Sequence, residues 1–273
     1  MLKKFVSSIR KKMQYNKFVV AVYNFFAVEI LFRINGVKRK MKKQDCVFSD
    51  ETLKSKFYLP YYKTDLIQRS ILTNRNYFEY DLLWNLAFNW NEGILAKKIK
   101  DKAMLDIGAN IGNHTLFFMN ECGASFAHCF EPIKGTFEIL KRNIFENGLY
   151  DKVRLYNVAI GKKEGNAEIA SFHEDNLGGT CLKDQDNGQI KVVPIDSLEI
   201  ENDVAFVKID VEGFELNAVL GMQNFLKKLH PVVFIEIRGC FYNQINDIFT
   251  ALGYKGELVE DMYGLDCANY IYY

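Results

Sequence analysis

From Lys102 onward the chain alternates short apolar runs with longer segments whose apolar residues recur every three or four positions. The runs Ala103–Asp106, Ser125–Phe130, Val153–Tyr156, Val204–Ile209 and Val232–Glu236 predict strands. They carry little polar alternation, which predicts burial on both faces. The intervening segments predict helices over 113–121, 135–147, 215–229 and 242–252. Ala167–Ser171 and Ile190–Val193 read as antiparallel strands around a Gly- and Asp-containing loop, and two more strands close the chain. Strands alternating with helices predict an α/β domain, a parallel sheet covered on both faces. Before Lys102 the rhythm is different. Asn76–Ile99 predicts one helix, with Tyr80, Leu83, Leu86, Ala87 and Trp90 at helical spacing. Residues 44–75 read as irregular around the aromatic turn Tyr58-Leu-Pro60-Tyr-Tyr62. Residues 1–43 read as one or two basic helices. The expected division is a helical extension over 1–43, a lead-in segment and helix packed on the core over 44–100, and the α/β body over 101–273.

Charge adds an asymmetry. Residues 1–43 hold 12 Lys/Arg against the single acid Glu29, a net +11, so the remaining chain carries −10. A basic leader on an acidic body argues against a nucleic-acid groove over that body. The apolar stretch from Phe18 reaches only Val28 before Glu29, short of the roughly 20 residues of a membrane span. The leader is expected either to pack on the body or to lie on an anionic membrane surface. A composition of 49% hydrophobic and 25% charged residues excludes disorder and coiled coil for the whole. The six cysteines form no C-x-x-C pair; they are expected to be reduced and mostly buried, in a cytoplasmic protein.

In a doubly wound sheet, ligands bind beyond the carboxyl ends of the strands. The first such end is Asp106-Ile-Gly108-Ala-Asn110-Ile-Gly112-Asn113-His114, a tight turn into a helix whose first N–H groups are free to hold a polar ligand tail. Asn110 stands where the dinucleotide fingerprint has its second glycine. The second strand ends at Glu131-Pro132, where a carboxylate can accept both hydroxyls of a ribose. Later strands end in Asp210-Val-Glu212-Gly213 and in Glu236. Four acids, Asp106, Glu131, Asp210 and Glu236, are thus expected around one cleft. Such a cleft suits a cationic sulfonium nucleoside and repels a polyphosphate.

Taken in order, Asp106–Thr115, Phe130-Glu-Pro132, Asn176-Leu-Gly-Gly179-Thr180 and Lys208-Ile-Asp-Val-Glu-Gly-Phe-Glu215 resemble the FkbM-type S-adenosylmethionine-dependent methyltransferases. Tyr58-Leu-Pro60 and Asp65-Leu-Ile-Gln68 resemble that family's lead-in. The resemblance implies a Rossmann-like class I methyltransferase fold: a seven-stranded, mostly parallel sheet with a reversed terminal hairpin and S-adenosyl-L-methionine as cofactor. It further implies that Asp106, Gly108, Asn110, Gly112 and Asn113 hold the methionine moiety, Glu131 and Pro132 the ribose side, and Asn157 and Ala159 the adenine, with Asp210 beside the methyl group. Glu212, Gly213, Asn176, Gly179 and His173 are assigned to the acceptor side. Many such proteins O-methylate sugars of surface polysaccharides or glycolipids, so a small-molecule, glycan or glycolipid acceptor is expected.

A sugar hydroxyl is a poor nucleophile, so a base should help remove its proton. Asp210 is the first candidate, with His114, Glu212 and Glu236 beside it. No cluster shows zinc-ligand spacing, and no metal is assigned. An NAD(P)-dependent oxidoreductase and a non-catalytic protein of the same fold are the competing readings. Nucleobase methylation is disfavoured, because the chain has no Pro-Pro for an Asn/Asp-Pro-Pro-aromatic run.

Overall fold

The computed structural model describes residues 46–171, 179–200, 203–261 and 267–273. The expected helices of residues 1–43, any membrane contact they make, and the candidates His173 and Asn176 lie outside those residues. Among the described residues no helix is long and apolar enough to cross a membrane.

The lead-in is more ordered than its sequence suggests. β1 (Val47–Phe48) pairs antiparallel with β2 (Phe57–Tyr58). Helix α1 (Leu66–Asn74) follows, N-capped by Asp65, whose Oδ1 accepts from Gln68 N at 2.9 Å. The single helix expected over 76–99 is broken. It becomes α2 (Tyr80–Trp84), a π-turn over Asn85–Asn89, a 3₁₀ turn over Trp90–Gly93 and α3 (Ile94–Ile99). Asn91, Glu92 and Gly93 all adopt positive φ, which no α-helix tolerates. Tertiary contacts hold this break: Trp90 Nε1 donates to Glu257 Oε2 at 3.1 Å, and its ring meets Tyr273 edge-on.

The body follows the predicted order. It runs β3 (Ala103–Ile107), α4 (Asn113–Asn120), β4 (Phe126–Phe130), α5 (Lys134–Glu146) and β5 (Val153–Tyr156). A side sheet comprises β6 (Ala159–Ile160), β7 (Gly165–Ser171), β8 (Cys181–Asp184) and β9 (Ile190–Val193). Then come β10 (Val204–Ile209), α6 (Glu215–Leu220), α7 (Gln223–Leu229), β11 (Val232–Arg238), α8 (Tyr242–Ala251), β12 (Gly256–Asp261) and β13 (Cys267–Tyr272). β6 and β8 are not expected from the sequence; both are short, and β8 exposes Lys183 and Asp184 while Leu182 packs on the side-sheet core. The helix expected over 215–229 splits at Gly221, whose backbone packs directly against the Gly161 carbonyl, leaving no room for a side chain.

The main sheet has the order β12-β13-β11-β10-β3-β4-β5, with β11, β10, β3, β4 and β5 parallel, β13 antiparallel between β11 and β12, and β12 again running in the direction of the parallel set. This is the seven-stranded, mostly parallel sheet that the resemblance implies. Strand alternation divides its core in two. Met104, Phe206 and Phe234 face α4 and the lead-in, in one cluster with Phe48, Phe57, Ile71, Leu83 and Phe117. Leu105, Val207 and Ile235 face α6, α7 and α8. Extending the first set by two residues along each strand reaches Asp106, Lys208 and Glu236. The polar residues at the strand ends therefore lie on the lead-in side.

All six cysteines are unpaired. The expectation that most are buried is corrected: only Cys122 and Cys129 are, while Cys240 is exposed in the turn after β11.

Candidate active site

After β3 the chain runs to β4 and β5 on one side, and it later returns as β10 on the other. The crevice at this switch point lies between the Gly108 turn and Asp210. The two segments touch backbone to backbone. Asp210 N donates to Ile107 O at 3.0 Å, and Gly108, at φ +79°, packs on the Asp210 carbonyl.

Beneath this contact lies a group the sequence reading did not single out. Asp106 and Lys208 are register partners on adjacent parallel strands, so their side chains share a face. Lys208 Nζ lies 2.6 Å from Gly108 O, 3.3 Å from Asp106 Oδ1 and 3.4 Å from Asp210 Oδ2. Lys208 is 2% exposed and Asp106 0%. Burial alone would depress the ammonium, but Asp106 and Asp210 overturn that and hold it well above its usual range. Asp106 Oδ2 also accepts from Thr115 Oγ1 at 2.6 Å. Two expectations are corrected here. Asp106 does not face the cleft; it supports the turn from below. Nor is the cleft purely acidic, since Lys208 underlies it and Arg238 stands at its rim.

Glu131, 5% exposed, sits at the end of β4. Its oxygens accept from Asn110 N at 3.0 Å and Ile133 N at 2.8 Å. Each carboxylate oxygen retains a further lone pair for a ligand hydroxyl. Burial pushes its carboxyl up to about 7, against the pull of those two amides. Asn157 Nδ2 donates to the Glu131 and Pro132 carbonyls, fixing this turn. Ala159 is buried in the side sheet beside Ala167, Val192 and Phe214.

On the other side of the crevice, Asp210, Glu212 and Glu236 bring carboxylate oxygens within 4.8 Å of one another. Such a set of hard oxygen donors suits a cation or a shared proton. Glu212 Oε2 pairs with Arg238 Nη2 at 3.2 Å, and the guanidinium lies over Gly213. Arg238 Nη2 also donates to Cys181 Sγ at 3.1 Å, tying the side sheet to this rim; Gly179 is half-buried just before it. Glu236 Oε1 accepts from Cys267 Sγ at 3.1 Å. Burial first, then the Asp210 charge, raises Glu212 to about 7 and Glu236 to about 8, with Glu212 and Glu79 adding to the rise at Glu236.

Asn113 serves a different end from the one expected of it. Its side chain is committed to the lead-in, accepting from Phe78 N at 2.9 Å and donating to Phe78 O at 3.0 Å. This clamp delivers Glu79, whose Oε2 lies 3.3 Å from His114 Nε2. Glu79 carried no signal in the sequence, because it lies 35 residues before His114 inside an apparent helix. His128 is buried mid-strand against Tyr156, and His230 stacks on Tyr254.

The raised carboxyls make a stability prediction. A carboxyl raised in the fold keeps a proton that the unfolded chain has already released, so stability falls as pH climbs toward the folded value. Buried His128, depressed to about 4, acts in the opposite sense, but its contribution is complete above about pH 6.5. The cofactor-free protein is therefore expected to melt lower at about pH 8.5 than at about pH 6.5, with Glu236→Gln flattening the slope. Thermal melts across that window check this, and a melting temperature that rises with pH would overturn it.

The donor set fits S-adenosylmethionine. Asp210, Glu212 and Glu236 match a sulfonium, Glu131 keeps lone pairs for ribose hydroxyls, and α4 begins at the turn with free N–H groups. The family that the sequence matches agrees. The family profile described as "Methyltransferase FkbM domain" matches residues 106–256. A curated relative, "Methyltransferase 1" of Beauveria bassiana (strain ARSEF 2860), is 24% identical over 162 residues, covering 50% of this chain; the chain spans 65% of that protein's length. Among solved structures, the methyltransferase FkbM from Methylobacillus flagellatus KT is 20% identical with a TM-score of 0.47, over 63% of this chain and 44% of that one. The N-terminal domain of human METTL16 in complex with SAH is 15% identical with a TM-score of 0.45, over 71% of this chain and 67% of that one.

Proposed function

The chain belongs to the FkbM methyltransferase family, with residues 106–256 forming an S-adenosylmethionine-dependent methyltransferase domain, and from that premise we propose that it O-methylates a sugar hydroxyl of a surface glycan, a glycolipid or a related metabolite. The observation that carries this reading is the group of three half-buried carboxylates, Asp210, Glu212 and Glu236, at the mouth of the crevice. Carboxylates accept hydrogen bonds from neighbouring hydroxyls, and a polyhydroxyl acceptor offers several donors to such a set.

When bound, S-adenosylmethionine supplies an electrophilic methyl group on a sulfonium. The chain's own residues do the rest. Glu131 holds the ribose hydroxyls, and the Gly108 turn with the start of α4 holds the amino-acid tail. Asp210 accepts the proton of the acceptor hydroxyl, while Lys208 keeps its carboxylate aimed and holds the turn beside it. Positioning the hydroxyl in line with the departing sulfur is where such a site gains most of its rate.

Mass spectrometry of cell-surface glycans, with and without the gene, tests the acceptor class. Loss of one methyl per modified residue is expected on deletion, restored by the wild-type gene. Asp210→Asn keeps the shape and removes the charge, and is expected to lower turnover about 100- to 10,000-fold while the protein stays folded. Identical glycans with and without the gene would discard the sugar reading; full complementation by Asp210→Asn would discard Asp210 as the base.

A further inference from the structure

We propose that Glu79 binds the α-ammonium of the cofactor's amino-acid tail, so that the lead-in segment supplies one wall of the cofactor site. This rests on the reading that the crevice binds S-adenosylmethionine. The tail is a zwitterion. Its carboxylate is suited to the free N–H groups at the start of α4, which leaves an ammonium that needs an acid close to the same turn.

The other acids near the turn are already engaged. Asp106 is fully buried on Lys208 and Thr115. Asp210 faces Lys208, Glu212 faces Arg238, Glu236 accepts from Cys267, and Glu131 holds two backbone amides. Glu79 differs. Among the described residues its carboxylate has no Lys or Arg partner and accepts no hydrogen bond from a backbone amide, hydroxyl or thiol, and its neighbour is the His114 ring. His114 is 8% exposed, and its Nε2 is buried without a hydrogen bond although it lies 3.3 Å from Glu79 Oε2. An unsatisfied buried nitrogen in the first turn of α4, beside a carboxylate without a Lys or Arg partner, is a polar pair that a zwitterion would complete.

The backbone points the same way. Glu79 sits at φ +59° and ψ 30°, in the left-handed region that a non-glycine residue occupies at a cost of roughly 1–3 kcal/mol. The two hydrogen bonds between Asn113 and the Phe78 backbone, one in each direction, hold it there. Glycine would remove that strain, so the glutamate sits here against its own backbone preference. Its charge also contributes to the raised carboxyl of Glu236, which places Glu79 toward the carboxylate group.

Two ligands separate tail recognition from general support of the site. S-adenosylhomocysteine carries the amino-acid tail; 5′-methylthioadenosine has the same adenosine and sulfur without it. Calorimetry on the full chain is expected to show Glu79→Gln weakening S-adenosylhomocysteine about 10- to 100-fold while 5′-methylthioadenosine affinity is unchanged. Glu79→Gly guards against misfolding: it should melt no lower than wild type and show the same tail-specific loss. Equal loss for both ligands, or no loss for either, would overturn the assignment and leave Glu79 a structural residue. Wild-type protein that binds neither ligand would instead overturn the cofactor reading on which the assignment rests.

Discussion

Replacing Lys208 by Met is expected to cost about 3–5 kcal/mol of folding stability, because it leaves Asp106 charged, buried and without its partner. A domain is stable by only about 5–15 kcal/mol in total, so one such change brings it close to unfolding. The mechanism can be isolated. In Asp106→Asn/Lys208→Met both charges leave together, and most of the lost stability should return, since a buried pair replaced as a unit is often neutral. Cofactor affinity should not return with it, because the Gly108 carbonyl and the Asp210 carboxylate are then unheld. Urea unfolding and S-adenosylhomocysteine calorimetry on the single and double variants decide this. A Lys208→Met protein as stable as wild type would show the buried pair to be unimportant.

The second large effect is expected at Gly108. An alanine there faces two problems at once. Its φ of +79° is unfavourable for any side chain, and the added Cβ would fall inside the van der Waals shell of the Asp210 carbonyl oxygen. Left-handed strain costs about 1–2 kcal/mol and overpacking about 1–3 more. Relief requires the β3 turn and Asp210 to move apart, which opens the crevice itself. Gly108→Ala is therefore expected to lower S-adenosylhomocysteine affinity at least about 100-fold, equivalent to the roughly 3 kcal/mol of misfit. Gly148→Ala is the control. Its φ of +65° is similarly unfavourable, but a Cβ there meets open space, so it should lose about 1 kcal/mol of stability and no affinity. Equal effects at the two positions would show that backbone strain alone matters.

Both effects depend on contacts between segments about 100 residues apart, which sets the limit of what the sequence could show. The acids at the strand ends were legible because each follows an apolar run and precedes a turn, both local signals. The partner of each acid was not. Lys208 stands in the same run as Asp210, yet its pairing with Asp106 depends on which strands are neighbours and in what register. Arg238 and Glu212 meet for the same kind of reason, across β10 and β11. Asp65 and Gln68, three residues apart, did carry a capping signal for α1, and the irregular reading of 44–75 passed over it.

By itself the sequence determined the order of strands and helices, the parallel sheet and the set of strand-end acids. These follow from apolar runs, from three- and four-residue periodicity and from turn residues, all local in the chain. The tertiary structure decided where the helix expected over 76–99 breaks, because Trp90 binds Glu257 and Tyr273 from the far end of the chain. It decided that Asp106 supports the turn, that Asn113 clamps the lead-in, and that Glu79 arrives beside His114. Each of these is a choice of partner for a polar group, and a buried polar group takes its partner from whatever the packed fold brings within about 3 Å.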